Sequence, residues 1–256
     1  MAIDPRAVVH QRARLGDGVS VGPCSVIGEH VVIGERTEVG SGVLIEGWTE
    51  IGADCRICHG AVIGTEPQDY KYRGEESYCI VGDRNVIREY VTINRATGEG
   101  KSTTLGDGIL LMAYSHVAHN CTLGDDVIIA NAVNMAGHVT IEEHAMVSGL
   151  IPIHQFVRIG CHAMIGGGSR ITQDVVPYGL AVGNPLSMRG INVVGLRRHR
   201  FPEGVRTTLK EAFRFLFRSG LNTSQALTRI KADLPTIPEI DHLVEFVESS
   251  KRGITK

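Results

Sequence analysis

Large aromatic rings are scarce in this chain: one tryptophan, six tyrosines and six phenylalanines, 5% of 256 residues. That excludes a core built around them, so the interior has to be layered from smaller aliphatics. No apolar run is long enough to span a bilayer, and residues 1–9 do not form a signal peptide. The expectations are a cytoplasmic protein without stable membrane insertion. An excess of either charge is also missing. Lys plus Arg number 26 and Asp plus Glu 28, a net of −2, which argues against a general nucleic-acid binder. The six cysteines are scattered, and Cys55 and Cys58 form a C-x-x-C with no second pair, so the thiols read as reduced and not as a zinc or redox framework.

What the chain does have is a period of six. An aliphatic recurs as Val9, Leu15, Val21, Ile27, Ile33, Val39, Ile45, Ile51, Ile57 and Ile63. The series resumes at Val81, Ile87 and Ile93, and again from Leu105 to Ile171. A glycine often follows the aliphatic, and a small or β-branched residue such as Ala13, Val19, Ser25 or Val31 comes four positions after it. A six-residue period fits neither a helix nor a strand pair; it marks a hexapeptide β-helix. Three hexads close a triangular coil of about 18 residues, and coils stack at about 4.8 Å, so about eight coils make a prism on the order of 40 Å long. The aliphatic and the small residue point inward, and the glycines suit corners that need positive φ.

The period breaks at 64–79 and 98–104, which read as loop insertions, the second containing one degenerate hexad. Long polar excursions from a rigid scaffold often carry binding groups. The repeats cover 1–185, and 186–256 turns helical. Pro202 is placed to open a helix whose apolar stripe is Val205, Leu209, Ala212, Phe213, Leu216 and Phe217. Asn222 or Thr223 caps a second helix, and a third covers 240–248. These helices are too few for a separate large core and should pack on the end or flank of the prism.

Eighteen-residue arithmetic places distant residues together. Val117, Met135 and Ile153 share one face, so His119, Gly137 and Gln155 stack two positions on, beside the column Asn120, His138 and Phe156. His116 lies just upstream. Three histidines and a glutamine at one edge suit either a metal site, which wants three neutral imidazoles aimed at a point, or a general base with substrate-binding neighbours. Turn positions also host surface histidines of no function, and the period alone does not choose.

Met112–Cys121 (MAYSHVAHNC), Ala136-Gly137-His138-Val139 and His154-Gln155-Phe156 resemble the UDP-N-acetylglucosamine O-acyltransferase family, which opens lipid A synthesis. The insert from Gln68 to Glu75 (QDYKYRGE) resembles that family's substrate loop, and Asn192–Arg198 (NVVGLRR) the start of its helical tail. The resemblance runs essentially end to end. It implies a left-handed parallel β-helix assembled as a homotrimer, with no cofactor and no metal. It also implies transfer of a 3-hydroxyacyl chain from acyl carrier protein to the 3-position of UDP-N-acetylglucosamine. His119 is implied as the general base and the Gly137 N–H as oxyanion donor. His116, His138, Gln155, Gln68, Asp69 and Lys71 are implied to bind the sugar nucleotide, the loop residues coming from a neighbouring subunit. Asn192 and Arg198 would take its uridine or phosphate end. Gly167 matches the acyl-chain stop, where a glycine leaves room for a long chain. Arg189, Arg197, Arg198, Arg200 and Arg206 form a basic surplus suited to an acidic carrier.

Four positions depart from the family's usual pattern. Asn120 stands for an aspartate after the base, and Asn94 for a histidine lining the acceptor site, so a 3-amino sugar is an alternative acceptor. Val194 and His199 replace an acidic residue and an arginine. The rival readings are a metalloenzyme of carbonic-anhydrase type ligated by His116, His119 and His138, and a non-catalytic scaffold. The N-acyltransferase acting later in the pathway carries an N-terminal uridine-binding domain, for which repeats starting near residue 3 leave no room.

Overall fold

The computed structural model describes residues 2–256. Its β-strands are mostly two residues long and wind into a triangular prism with three walls of 11, 8 and 8 strands, parallel throughout except for the last strand of the first wall. On the first wall Leu110, Ile128, Met146 and Met164 pair in turn, each 18 residues after the last. On the second His116, Asn134 and Pro152 do the same, and on the third Thr122, Thr140 and Arg158. The aliphatics and their small partners fill the interior: Ile27, Ile45, Ile63, Ile93, Val117 and Ile129 are fully buried, as are Val19, Val31, Val43 and Ala61. Each such aliphatic contributes roughly 1.5–3 kcal/mol by leaving water. The fold is thus a stack of near-identical apolar layers.

Two coils are enlarged. Leu44 pairs with Val62, 18 positions on, but Val62 pairs with Thr92 and Thr92 with His116, steps of 30 and 24. The extra residues form loops on the wall-two side. Strands Val62–Thr65 and Tyr78–Val81 take the ends of the first expected insertion, leaving 66–77 irregular. The second is irregular at 95–101, since Ser102–Leu105 is a strand.

The corners correct one expectation. Positive φ falls three positions after the aliphatic, and most residues there are not glycine: Cys24, Arg36, Asp54, Tyr90, Tyr114, Asn120, His138, Phe156 and others. The glycines directly after the aliphatic have ordinary φ, apart from Gly64 at the start of the first insert. A Cβ on Gly22 would sit 2.6 Å from the Gly40 carbonyl oxygen, and one on Gly34 2.5 Å from the Gly52 carbonyl carbon. These glycines let adjacent coils stack closely, and the corners tolerate left-handed backbone on other residues because the repeated ladder over-determines it.

The first wall ends with Gly179–Val182, parallel to its neighbour, and Ser187–Ile191, antiparallel to that. The sheet therefore runs past the change of period at 185. Helices α1 (Val193–Arg198), α2 (Glu203–Arg218), α3 (Thr223–Asp233) and α4 (Pro238–Glu248) follow. Pro202 is the N-cap of α2, and Asn222 caps α3 in a capping box with Gln225. Leu209, Ala212, Phe213 and Leu216 of the expected stripe are buried in one cluster with Val176, Tyr178 and Cys161 at the end of the prism.

A polar latch crosses this junction. The His242 Nε2 of α4 lies 3.1 Å from a Glu142 carboxylate oxygen, while its Nδ1 faces the Cys161 sulfur at 3.5 Å and the Tyr178 hydroxyl at 3.2 Å. The thiol and the carboxylate raise the imidazole's pKa from its usual 6.5 to about 10. A raised folded-state pKa gives stability that is complete below about pH 6.5 and lost as pH rises through about 10. His242→Gln is therefore expected to cost about 2 kcal/mol near pH 6, the worth of hydrogen bonds to a charged group discounted for partial exposure. Denaturant melts at pH 6, 8 and 10 check it: the gap between native and variant protein should close with rising pH, and a constant gap would remove the latch.

Candidate active site

Val117, Met135 and Ile153 stack in successive coils of wall two, so His119, Gly137 and Gln155, two positions past each, share the corner between walls two and three. The His119 ring occupies the space that a Gly137 side chain would need: a Cβ there would lie 2.5 Å from Nε2 and 3.1 Å from Nδ1. The Gly137 N–H makes no hydrogen bond among the described residues. An imidazole and a free amide thus sit side by side at an outward edge.

Asn120 sets the state of that imidazole. Its Oδ1 accepts from the Thr97 N–H at 3.0 Å, and its Nδ2 donates to the Thr97 carbonyl at 3.1 Å, which fixes the orientation of the amide. The same Oδ1 lies 2.8 Å from His119 Nδ1. Nδ1 must then carry the proton, leaving the Nε2 lone pair free to take one. A carboxylate at 120 would set an oxygen against the Thr97 carbonyl, and asparagine tolerates the left-handed φ of 58° found here. The departure from aspartate therefore has a local physical reason.

The 66–77 loop supplies the carboxylate nearest to that lone pair. Asp69 Oδ2 is 3.9 Å from His119 Nε2 of the same chain, so the loop reaches its own subunit's histidine where a neighbour's was expected. Its other oxygen accepts the Lys71 N–H, and the Asp69 carbonyl accepts the Tyr72 N–H, closing a turn. Lys71 and Gln68 are exposed on this loop. Asn94 is buried and turned to the loop's root, donating to Thr65 Oγ1 and the Glu66 carbonyl, with its Oδ1 unpartnered. It does not line the open edge in this chain.

His116 is hydrogen-bonded to Thr92 through Nδ1 at 2.7 Å, and burial lowers its pKa, with His119 adding to the effect. His138 is also lowered, by desolvation and then by His119, and stacks on Phe156 at 4.6 Å. Both are neutral hydrogen-bonding rings at neutral pH and not cations. Gln155 is exposed. Among the described residues the one set of three His, Cys, Asp or Glu ligand atoms that converges is Glu142, Cys161 and His242. His116, His119 and His138 do not aim at a common point.

Three expected residues lie elsewhere. Gly167 is at the corner between walls one and two, exposed, where a Cβ would meet nothing closer than the Gly149 oxygen at 3.4 Å. Asn192 caps α1 by accepting from Gly195 N and donates to the His162 carbonyl at the corner between walls three and one. Arg198 is exposed there and lines a cavity of about 540 Å³ with Asp126, His144, His162 and His199. The last three rings lie 4.6–4.7 Å apart, and desolvation lowers His162 to about 4. Sequence reading missed this cluster, although His144 and His162 are 18 apart and the coil arithmetic would have stacked them. Arg189 joins Lys210, Arg214 and Arg218 around a second cavity of about 410 Å³ floored by Phe213 and Phe217.

Comparison with known proteins follows the same division of the chain. Residues 30–65 and 102–137 match the model described as bacterial transferase hexapeptide (six repeats). Residues 174–255 match "Udp N-acetylglucosamine O-acyltransferase; Domain 2". The acyl-[acyl-carrier-protein]–UDP-N-acetylglucosamine O-acyltransferase of Sulfurihydrogenibium sp. is 55% identical over 98% of this chain and 93% of its own. That of Trichlorobacter lovleyi is 52% identical over the full length of both. The crystal structure of a UDP-N-acetylglucosamine acyltransferase from Bacteroides fragilis superposes with a TM-score of 0.96 at 41% identity, covering 99% of each chain. At this identity over the whole length, the chain belongs to the UDP-N-acetylglucosamine O-acyltransferase family of hexapeptide-repeat transferases.

Proposed function

We propose that this chain moves a 3-hydroxyacyl group from acyl carrier protein to the 3-hydroxyl of UDP-N-acetylglucosamine, in lipid A biosynthesis, with His119 as general base. The observation that carries the mechanism is the placement of the His119 ring, its Nε2 lone pair free, in the space beside Gly137, whose N–H is unbonded among the described residues. Nε2 takes the proton of the sugar hydroxyl as its oxygen attacks the thioester carbonyl carbon. The charge that builds on the carbonyl oxygen meets the Gly137 N–H. Collapse of the tetrahedral intermediate breaks the carbon–sulfur bond, and the proton held at Nε2 goes to the departing thiolate. Asp69 faces the imidazolium while it exists. Neutral His116 and His138, with Gln155, Gln68 and Lys71, hold the sugar nucleotide.

We infer assembly as a homotrimer, and the same geometry supports that reading. Asn192 and Arg198 lie beside one corner, His119 at a second and Gly167 at a third, so a single prism cannot gather them on one substrate. Prisms packed side by side about a three-fold axis bring unlike corners together. The Arg189, Lys210, Arg214 and Arg218 rim is the landing surface for the acidic carrier, acting mainly on association rate.

The test is purified protein given UDP-N-acetylglucosamine or its 3-amino analogue against a ladder of 3-hydroxyacyl carrier proteins, read by mass spectrometry. The expected product is the 3-O-acyl sugar nucleotide, with long chains preferred because Gly167 leaves space. Product from the amino analogue alone would overturn the choice of acceptor. Sedimentation should give three chains per particle.

A further inference from the structure

Arg95 is the most deeply placed cation near the site, 6% exposed, and the reaction as written gives it no task. Its Nη1 donates to the Gly64 carbonyl at 2.9 Å, at the root of the 66–77 loop. Its Nη2 donates to the Tyr72 hydroxyl at 2.7 Å, on the loop itself. The guanidinium carbon lies 5.3 Å from the centre of the Tyr72 ring and 6.0 Å from that of Trp48. The nearest carboxylate, Glu66, is 3.5 Å away but more than two-thirds exposed, so the buried charge is held by carbonyl, hydroxyl and ring faces and not by a buried counter-ion. The slot is shaped for this side chain: a Cβ on Gly47 would lie 2.9 Å from Nη1.

From Arg95 a short chain of bonds leads to the catalytic corner. The Tyr72 hydroxyl donates to the Glu75 carbonyl, and the Tyr72 N–H donates to the Asp69 carbonyl, so bolting Tyr72 bolts the turn that carries Asp69. Asp69 in turn faces His119 Nε2. A second strap reinforces the loop: a Glu75 carboxylate oxygen accepts the Gly98 N–H at 2.7 Å, one residue beyond the Thr97 that holds Asn120. We propose that Arg95 is a positioning residue for the acceptor, holding the 66–77 loop in the pose that presents Asp69 and Lys71 beside His119. The inference rests on the function proposed above for what the loop binds, but the holding itself is a property of this chain.

Lysine cannot substitute here. One ammonium reaches one acceptor, whereas the planar fork spans the loop's root and its Tyr72 while stacking on two rings. For Arg95→Lys the population of open loop should rise about tenfold, the consequence of losing one hydrogen bond to a charged donor. Limited trypsinolysis reads this directly, because Lys71 and Arg73 are exposed on the loop and cleavage there is mapped by mass. Trp48 is the single tryptophan, so a shift in intrinsic emission reports the emptied slot. With wild-type activity present, KM for the sugar nucleotide should rise about tenfold while KM for the acyl carrier stays within about twofold. Tyr72→Phe deletes one oxygen and should move every readout the same way by less, which keeps the test open if Arg95→Lys fails to fold. Unchanged cleavage after Lys71 and Arg73 in the two variants would overturn the proposal, as would a lowered melting temperature and kcat without loop-specific cleavage. Wild-type protein that acylates no UDP-N-acetylglucosamine would sink the proposed function instead, and the cleavage and emission measurements would still decide the role of Arg95.

Discussion

His119→Ala is expected to lower acyl transfer about 10²–10⁴-fold, the share that a positioned base supplies, while the melting temperature barely moves. The ring lies outside the prism walls, and the inward positions beside it belong to Val117 and Cys121. Asn120 keeps its bonds to Thr97 and to Thr103 without the imidazole, so the corner retains its shape. Residual turnover would come from the Gly137 amide and from binding alone. No other group can replace the lost base well. His116 is tied to Thr92 through Nδ1, His138 stacks on Phe156, and Asp69 Oδ1 is already engaged by the Lys71 N–H. Initial rates at saturating donor and acceptor, beside a thermal melt, measure both halves of the expectation. Turnover near that of the native protein in a folded variant would refute the base assignment.

Much of this corner is legible in the sequence because the β-helix repeats along one dimension. A coil of 18 residues converts sequence separation into stacking, and His119 over Gly137 over Gln155 follows from subtraction alone. The same rule covers the buried aliphatics. It fails where the chain leaves the period. The steps of 30 and 24 residues show how many residues the two inserts hold but not where they fold, so Asp69 beside its own chain's His119, Asn94 turned into the loop root and the Arg95 slot were out of reach. Glycine misled for a different reason. Its frequency at one position in the hexad suggested left-handed corners, whereas a sequence cannot distinguish a glycine needed for φ from one needed because the next coil's backbone lies under 3 Å from any Cβ. Asn192 shows a third limit: one side chain can cap a helix and still sit at a cavity's rim, and the motif does not say which task its atoms are committed to.

Gly137→Ala isolates the position of the His119 ring from the rest of the mechanism. The backbone at 137 lies in a region open to any residue, and alanine keeps the N–H, so neither strain nor loss of the amide donor enters. What changes is space. The new methyl would need to occupy a point 2.5 Å from Nε2, about 1 Å inside van der Waals contact. Moving the coil backbone is resisted by the ladder bonds at Asn134–Met135, so the ring yields, and it gives up its 2.8 Å bond to Asn120 to do so. A displacement of about 1 Å at a reacting group costs on the order of 10²-fold in rate. The expectation is therefore a drop in kcat of about that size with a near-normal melt. The effect should vanish in the His119→Ala background, where no ring remains to displace and the two changes share one target. Activity within about threefold of the native protein, or an undiminished loss when His119 is already gone, would mean that the glycine acts some other way and that the imidazole is free to choose its place.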